Sequence, residues 1–270
     1  MSAIVTAARV GARKLLPRPL RIRIINRMST MPRLRKTLPY GREFERIDHE
    51  LAALDGTPWD GFRTSASTVD TSERVVEIPW VLSRYQSERR VLDIGSAFAL
   101  ELYLRYLRRL HIPELHGLDL GAARVSGMTM TRADVRHMPY QDGYFELILC
   151  VSTLEHIGRD NVNYGVGASD DARGDYVALA EMRRVLSPAG RILITVPFGR
   201  PGDYGWFKQF DLPSFDELLK ETGLTAEELS VYGYSASGWS RVLDPSTQRS
   251  GYRESGAPAA TAVLCAALRR

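Results

Sequence analysis

Three aspartates stand at regular places in this 270-residue chain, each at or just past the end of a short apolar run. Asp93 belongs to the run 90–94, Asp119 to 115–120, and Asp134 follows 127–131. If those runs are parallel strands, the three carboxylates share the edge where open α/β sheets bind ligands. Gly95, two residues after Asp93, lets the backbone turn tightly there. Asp119, 26 positions after Asp93, suits hydrogen bonding to a ribose diol. An aspartate after the third strand can accept from an exocyclic amine. The set describes a pocket for an adenosyl group without a phosphate cradle. There is no Walker sequence, and Asp93-Ile94-Gly95-Ser96-Ala97-Phe98-Ala99 is not the dinucleotide fingerprint. A second constellation is Glu155-His156, just past the apolar run 144–151. A hydroxyl acceptor must lose a proton, and imidazole titrates near neutrality, so His156 suits a general base with Glu155 beside it. The other reading is a structural pair at the start of a helix.

The elements that must position these residues alternate. Strand-like runs fall at 90–94, 115–120, 127–131, 144–151, 191–196, 229–234 and 260–268. Helical apolar spacing covers 100–110, 176–186 and 214–222, with Pro188-Ala189-Gly190 as a turn and Gly223 as a C-cap. Alternation of this kind implies βαβ units and a parallel sheet.

Hydrophobic content of 44% and charged content of 25% are ordinary for a globular chain and exclude disorder, a fibre or a rod. No run approaches the ~18 apolar residues of a membrane-spanning helix, which argues against an integral membrane protein. The net charge of +4 is unevenly spread. Residues 1–46 hold 12 Lys+Arg and two Glu; the remainder holds 24 basic and 30 acidic residues. The expected organisation is a basic N-terminal arm (1–46) and a slightly acidic body (47–270). The arm could dock on an anionic membrane surface or a partner protein, or be a plain tail. Cys150 and Cys265 read as buried hydrophobes, which fits a reducing, cytoplasmic setting, with the inner membrane face open to the arm.

Four stretches carry a resemblance: VLDIGSA (91–97), HGLDL (116–120), RADVRHMPYQDGYFELILCVSTLEHIG (132–158) and EMRRVLSPAGRILITVPFG (181–199). They resemble the class I S-adenosylmethionine-dependent methyltransferases, in the style of the methyltransferase type 11 domain, over about 85–235. The resemblance implies a Rossmann-like, doubly wound, seven-stranded α/β sheet of order 3-2-1-4-5-7-6, its last strand antiparallel and helices on both faces. It implies S-adenosylmethionine as cofactor. Asp93, Gly95 and Ser96 would face its methionine part, Asp119 its ribose with Leu120 alongside, and Asp134 and Val135 its adenine. Cys150, Val151 and Ser152 would pass beside the sulfonium. The family pattern has glycines where this chain has Ala97 and Ala99, and alanine does not readily adopt φ > 0.

The segment after strand four, with Tyr164-Gly165 and Gly174-Asp175, is similar to methyltransferases of bacterial, including actinobacterial, surface-glycan and polysaccharide clusters. An aromatic and acidic rim of Tyr204, Trp206 and Phe210 suits sugars, whose apolar faces stack on rings while carboxylates accept from hydroxyls. The same aromatics could instead pack a lid. The expected activity is therefore O-methylation of a sugar, glycan or glycolipid. Asp170-Asp171 and Asp175 could hold Mg²⁺, but an acidic solvated loop with Asp175 capping the next helix is preferred, so no metal ligand is assigned. Two other functions stay open. Nucleic-acid methylation is disfavoured because the Asn-Pro-Pro-Tyr type sequence and a Pro-Cys nucleophile are absent. A non-catalytic scaffold is suggested by Ala97 and Ala99.

Overall fold

Apolar side chains alternate between two faces along β1 (Arg90–Ile94), and both faces are covered. Leu92 and Ile94 point into one core and Val91 into the other. A strand buried on both sides reads as a continuous apolar run, which is why RVLDI lacks the polar alternation of a half-exposed strand. The computed structural model describes residues 41–54, 56–62, 68–121, 124–162 and 170–270. Most of the basic arm (1–40) and Tyr164-Gly165 lie outside the described residues.

β1 is followed by β2 (Glu114–Asp119), β3 (Thr129–Arg132), β4 (Phe145–Val151), β5 (Leu186–Pro197), a short hairpin of β6 (Gly202–Asp203) and β7 (Lys208–Gln209), then β8 (Thr225–Ser235), β9 (Gly238–Val242) and β10 (Ala262–Arg269). The main sheet runs β3-β2-β1-β4-β5-β10-β8-β9. β1 to β5 are parallel, and β10 is antiparallel to both β5 and β8. The expected order and the antiparallel strand are present, but the sheet has eight strands, not seven. The addition is β9, which returns as a hairpin on β8 and pairs Val242 with Val231. Its sequence, GWSRV, opens on glycine and alternates too briefly to stand out from a loop.

Among the described residues, five helices cover the sheet: α1 (Gly41–Ala52), α2 (Arg74–Leu82), α3 (Glu101–Arg109), α4 (Gly174–Val185) and α5 (Leu212–Thr222). The core containing Leu92, Ile148 and Ile194 is closed by Leu179 and Met182 of α4 and by Phe215 and Leu218 of α5. The core containing Val91, Leu149 and Leu193 is closed by Phe44 of α1, Trp80 of α2 and Leu104 of α3. α5 starts on a capping box between Asp211 and Ser214 and ends on Gly223 at φ 67°, the C-cap expected. The turn at Pro188-Ala189-Gly190 lies inside β5. Pairing with β4 jumps from Phe145↔Leu186 to Leu147↔Arg191, so residues 187–190 bulge out between them.

The chain leaves β3 on one edge and crosses to β4 on the far side of β1. The strand order therefore switches between β1 and β4, and their diverging connections open a crevice there. Asp93 and Ser152 flank it.

Candidate active site

The turn after β1 is built around two carboxylates. Asp93 is buried; its oxygens accept from the Tyr103 hydroxyl (2.7 Å) and the Ser96 hydroxyl (2.7 Å). Burial pushes its pKa up to about 6, against the opposing hydrogen bonds from Ser96 and Tyr103. Gly95 takes φ 87°, and a Cβ there would lie 2.4 Å from Thr153 Oγ1. Both the left-handed conformation and the close approach of the β4 loop require glycine. Residues Ser96–Phe98 form a 3₁₀ turn, and Ala99 is extended at φ −63°. Neither Ala97 nor Ala99 has positive φ. Alanine is thus compatible with the backbone at both family glycine positions.

Asp119 closes β2 over this turn. Oδ2 accepts the Ala97 N–H at 3.0 Å and Oδ1 accepts the Gly121 N–H at 2.7 Å. Burial raises its pKa, and the two amide hydrogen bonds oppose that shift. One bond per oxygen leaves a lone pair on each, the pattern a vicinal diol would use. Leu120 beside it is 40% exposed. Asp134 is engaged differently, because Arg136 donates to both of its oxygens, at 2.7 Å from Nη2 and 3.1 Å from Nε. Burial raises the Asp134 pKa, but the Arg136 hydrogen bonds outweigh it and hold the carboxyl below its ordinary value. Arg136 also reaches Asp171 at 2.7 Å, tying the end of β3 to the segment before α4. Val135 is a core residue.

At the end of β4, Val151 is half-buried and Ser152 adopts φ 42°. The Ser152 N–H donates to the Thr195 carbonyl, and its hydroxyl donates to Glu77 Oε1 at 2.5 Å. The next residues form a 3₁₀ turn, Leu154–His156. Glu155 is buried, and burial pushes its carboxyl well above the ordinary range, with the Glu77 charge adding to that shift. His156 lies beside it, with Nε2 3.8 Å from Glu155 Oε1. Its Nδ1 lies 2.7 Å from the Trp206 carbonyl, and its ring stacks on the Trp206 indole with centroids 5.2 Å apart. A carbonyl can only accept, so Nδ1 carries the hydrogen and neutral His156 keeps its lone pair on Nε2.

Tyr204, Phe207 and Tyr252 continue the aromatic wall. Tyr204 and Phe207 stack at 4.6 Å, and Phe207 and Tyr252 meet at 4.7 Å. Tyr204 is exposed and Trp206 half-buried, whereas Phe210 is not part of any rim. It lies in the core against Phe215. Asp175 is not a solvated cap. It sits within α4, is buried and pairs with Lys208 Nζ at 2.8 Å. Asp171 is thus engaged by Arg136 and Asp175 by Lys208.

Sequence reasoning missed Glu77, Thr195, Tyr103 and Lys208. Glu77 had a visible signal, as the one charged residue inside the apolar run that follows Arg74 in the helix RVVEIPWVL.

Residues 92–194 match the methyltransferase domain family. Among curated relatives, the ubiquinone/menaquinone biosynthesis C-methyltransferase UbiE of Cellvibrio japonicus is 25% identical over 180 residues, covering 66% of this chain and 64% of the relative. An uncharacterised protein of Methanocaldococcus jannaschii is 26% identical over 135 residues, covering 44% of this chain and 47% of that protein. The matches thus span about half to two thirds of these relatives' lengths. Among solved structures, 1,6-didemethyltoxoflavin-N1-methyltransferase of Burkholderia thailandensis, with bound 1,6-didemethyltoxoflavin and S-adenosylhomocysteine, is 17% identical at a TM-score of 0.45. The match covers 67% of this chain and 70% of that one. The matched stretch runs from β1 to most of β5, the part of the sheet that carries Asp93, Asp119 and His156. Among the described residues, no helix is long and apolar enough to cross a membrane.

Proposed function

We propose that this chain binds S-adenosylmethionine and transfers its methyl group to a hydroxyl of a sugar or glycan, with His156 as general base. The observation that carries the reading is the 2.7 Å contact from His156 Nδ1 to the Trp206 carbonyl, which leaves Nε2 as the basic nitrogen beside the end of β4. The bound cofactor supplies an electrophilic methyl group on a sulfonium. The residues present fit it: Asp119 keeps an accepting lone pair on each oxygen for a ribose diol, and Gly95 brings the backbone close to the β4 loop.

Asp119 and Leu120 would hold the ribose, while Gly95 and Ser96 would shape the methionine end over Asp93. Val135 and the Arg136-bound carboxylate of Asp134 would border the adenine. Val151 and Ser152 pass the reacting centre. His156 Nε2 takes the acceptor hydroxyl proton as the oxygen attacks, and the Trp206 carbonyl stabilises the imidazolium through Nδ1–H. Tyr204 and Trp206 present ring faces on which the apolar side of a sugar can stack. Pairing Asp171 with Arg136 and Asp175 with Lys208 disfavours a Mg²⁺ site in this reaction.

The test is transfer of labelled methyl from the cofactor into a glycan or glycolipid extract, followed by identification of the product. His156→Ala should leave cofactor binding intact and lower turnover by about 10²–10⁴. Asp119→Ala should weaken cofactor binding instead. Near-wild-type turnover in His156→Ala removes that residue as the base. Cofactor binding with label only in carbon-methylated products replaces the hydroxyl acceptor, a reading that the C-methyltransferase relative supports. No calorimetric heat with the cofactor leaves only a scaffold.

A further inference from the structure

The apolar helix α2 carries a charged end. Glu73 stands at its N-cap, Arg74 opens it and Glu77 follows one turn later. Glu77 has no exposed surface, yet it reaches the carboxyl ends of two strands. Its Oε1 accepts from the hydroxyls of Ser152 after β4 (2.5 Å) and Thr195 in β5 (2.8 Å), and its Oε2 accepts from Arg74 at 2.7 Å. Glu155 lies across from it, within electrostatic reach of Glu77, Arg74 and Glu73. It is 3% exposed, its Oε1 is 3.8 Å from His156 Nε2, and its Oε2 is buried without any hydrogen-bond partner. Below them Tyr103 donates to Asp93, close to Cys150 and Arg74. Four carboxyl groups thus gather at the ends of β1 and β4, and among the described residues the cationic side chains facing them are Arg74 and, when protonated, His156. A buried acidic cluster with a surplus of negative charge either binds protons or is completed by a cation. The unpartnered Glu155 oxygen marks where completion is missing.

We propose that Glu73, Glu77 and Glu155 form an acidic collar that reads the charge of the cofactor, favouring the sulfonium form over the neutral thioether left after methyl transfer. The proposal rests on the cofactor reading above. S-adenosylmethionine and S-adenosylhomocysteine share their amino and carboxylate groups and differ by one methyl group and one positive charge at sulfur. Their affinity ratio therefore isolates what the collar does. Burial first, and then the Glu77 charge, pushes the Glu155 carboxyl well above its ordinary range and so favours its protonated form while no cation is near. A cation at the end of β4 favours the carboxylate, and Glu155 gives its proton to solvent. Once the methyl has moved to the acceptor oxygen, the sulfonium has become a thioether and the acceptor proton has left through His156. The collar then lacks its cation, Glu155 takes a proton back from solvent, and the product loses affinity.

The experiment is calorimetry of the full chain with S-adenosylmethionine and with S-adenosylhomocysteine between pH 6 and 8, in two buffers of different ionisation enthalpy. The expected result is release of up to one proton on binding the sulfonium form only. The affinity ratio should then rise by up to about tenfold per pH unit, since the slope of log affinity with pH equals the protons released. Glu155→Gln should abolish that release and flatten the ratio, while affinity for S-adenosylhomocysteine stays within about twofold. If Glu155→Gln fails to melt as a folded protein, half-buried Glu73→Gln is read instead and should reduce the ratio. A ratio that is independent of pH and unchanged in the folded variant overturns the collar while leaving the cofactor reading intact. Binding of neither ligand by the wild type overturns both.

Discussion

His156 Nδ1 and the carbonyl of Trp206 lie 2.7 Å apart across 50 residues of sequence, with their rings stacked at 26°. One contact thus fixes the imidazole tautomer and joins the end of β4 to the β6–β7 hairpin. Trp206→Ala keeps the carbonyl and removes the indole. An aromatic pair is worth about 0.5–1.5 kcal/mol, so kcat/KM for methyl transfer should fall by roughly two- to thirteenfold, short of the His156→Ala loss. An equal loss in both variants would mean that the ring, not the base, limits the reaction.

Gly95 and Thr153 test the turn that carries Asp93 and Ser96. Gly95→Ala meets a left-handed backbone and a threonine hydroxyl at 2.4 Å. It should destabilise the fold by about 2 kcal/mol or more in urea titration. Thr153→Ala removes the two nearest atoms at a cost of its own hydrogen bonds to Ile94 and Val151. The double variant should therefore recover about 1 kcal/mol relative to the sum of the singles. Strict additivity would show that backbone strain alone penalises alanine.

Glu43 supplies a stability signature. It is buried in α1 and accepts the Ser72 N–H at 2.6 Å just before α2. Burial pushes its pKa from 4.5 up to about 7. A carboxyl with a raised folded pKa holds its proton more tightly when folded, so its contribution is full below pH 4.5 and is lost as pH rises to about 7. Across that window this group should lower the unfolding free energy by about 1.4 kcal/mol per pH unit. In denaturant titrations at several pH values, Glu43→Gln should be shallower than wild type by that slope. Parallel profiles would refute the assignment.

Local sequence was enough for the strands that bear the site, because a parallel strand buried on both faces must be a short continuous apolar run. The order of Asp93, Asp119 and Asp134 follows from where such runs end, and Gly95 was legible as a tight turn. β9 was not, since a five-residue edge strand gains its identity only from pairing with β8. Phe210 looked like rim material by its proximity to Tyr204 and Trp206. Yet it lies just past the end of β7, where backbone hydrogen bonds to Pro197 and Gly199 hold it beside Phe198 and inward against Phe215. Asp175 looked like a helix cap until Lys208, 33 residues on, proved to be its partner.

The chain alone determined the kind of sheet, the aspartates at its carboxyl edge and the histidine past β4, because each depends on neighbours within a few residues. Tertiary structure decided what those groups can do. Glu77 meets Thr195 across 118 residues and Ser152 across 75, Asp171 is taken by Arg136 across 35, and His156 acquires its tautomer from a distant carbonyl. Burial and partner charge set the protonation of a carboxyl or an imidazole, and both arise only when remote segments pack together.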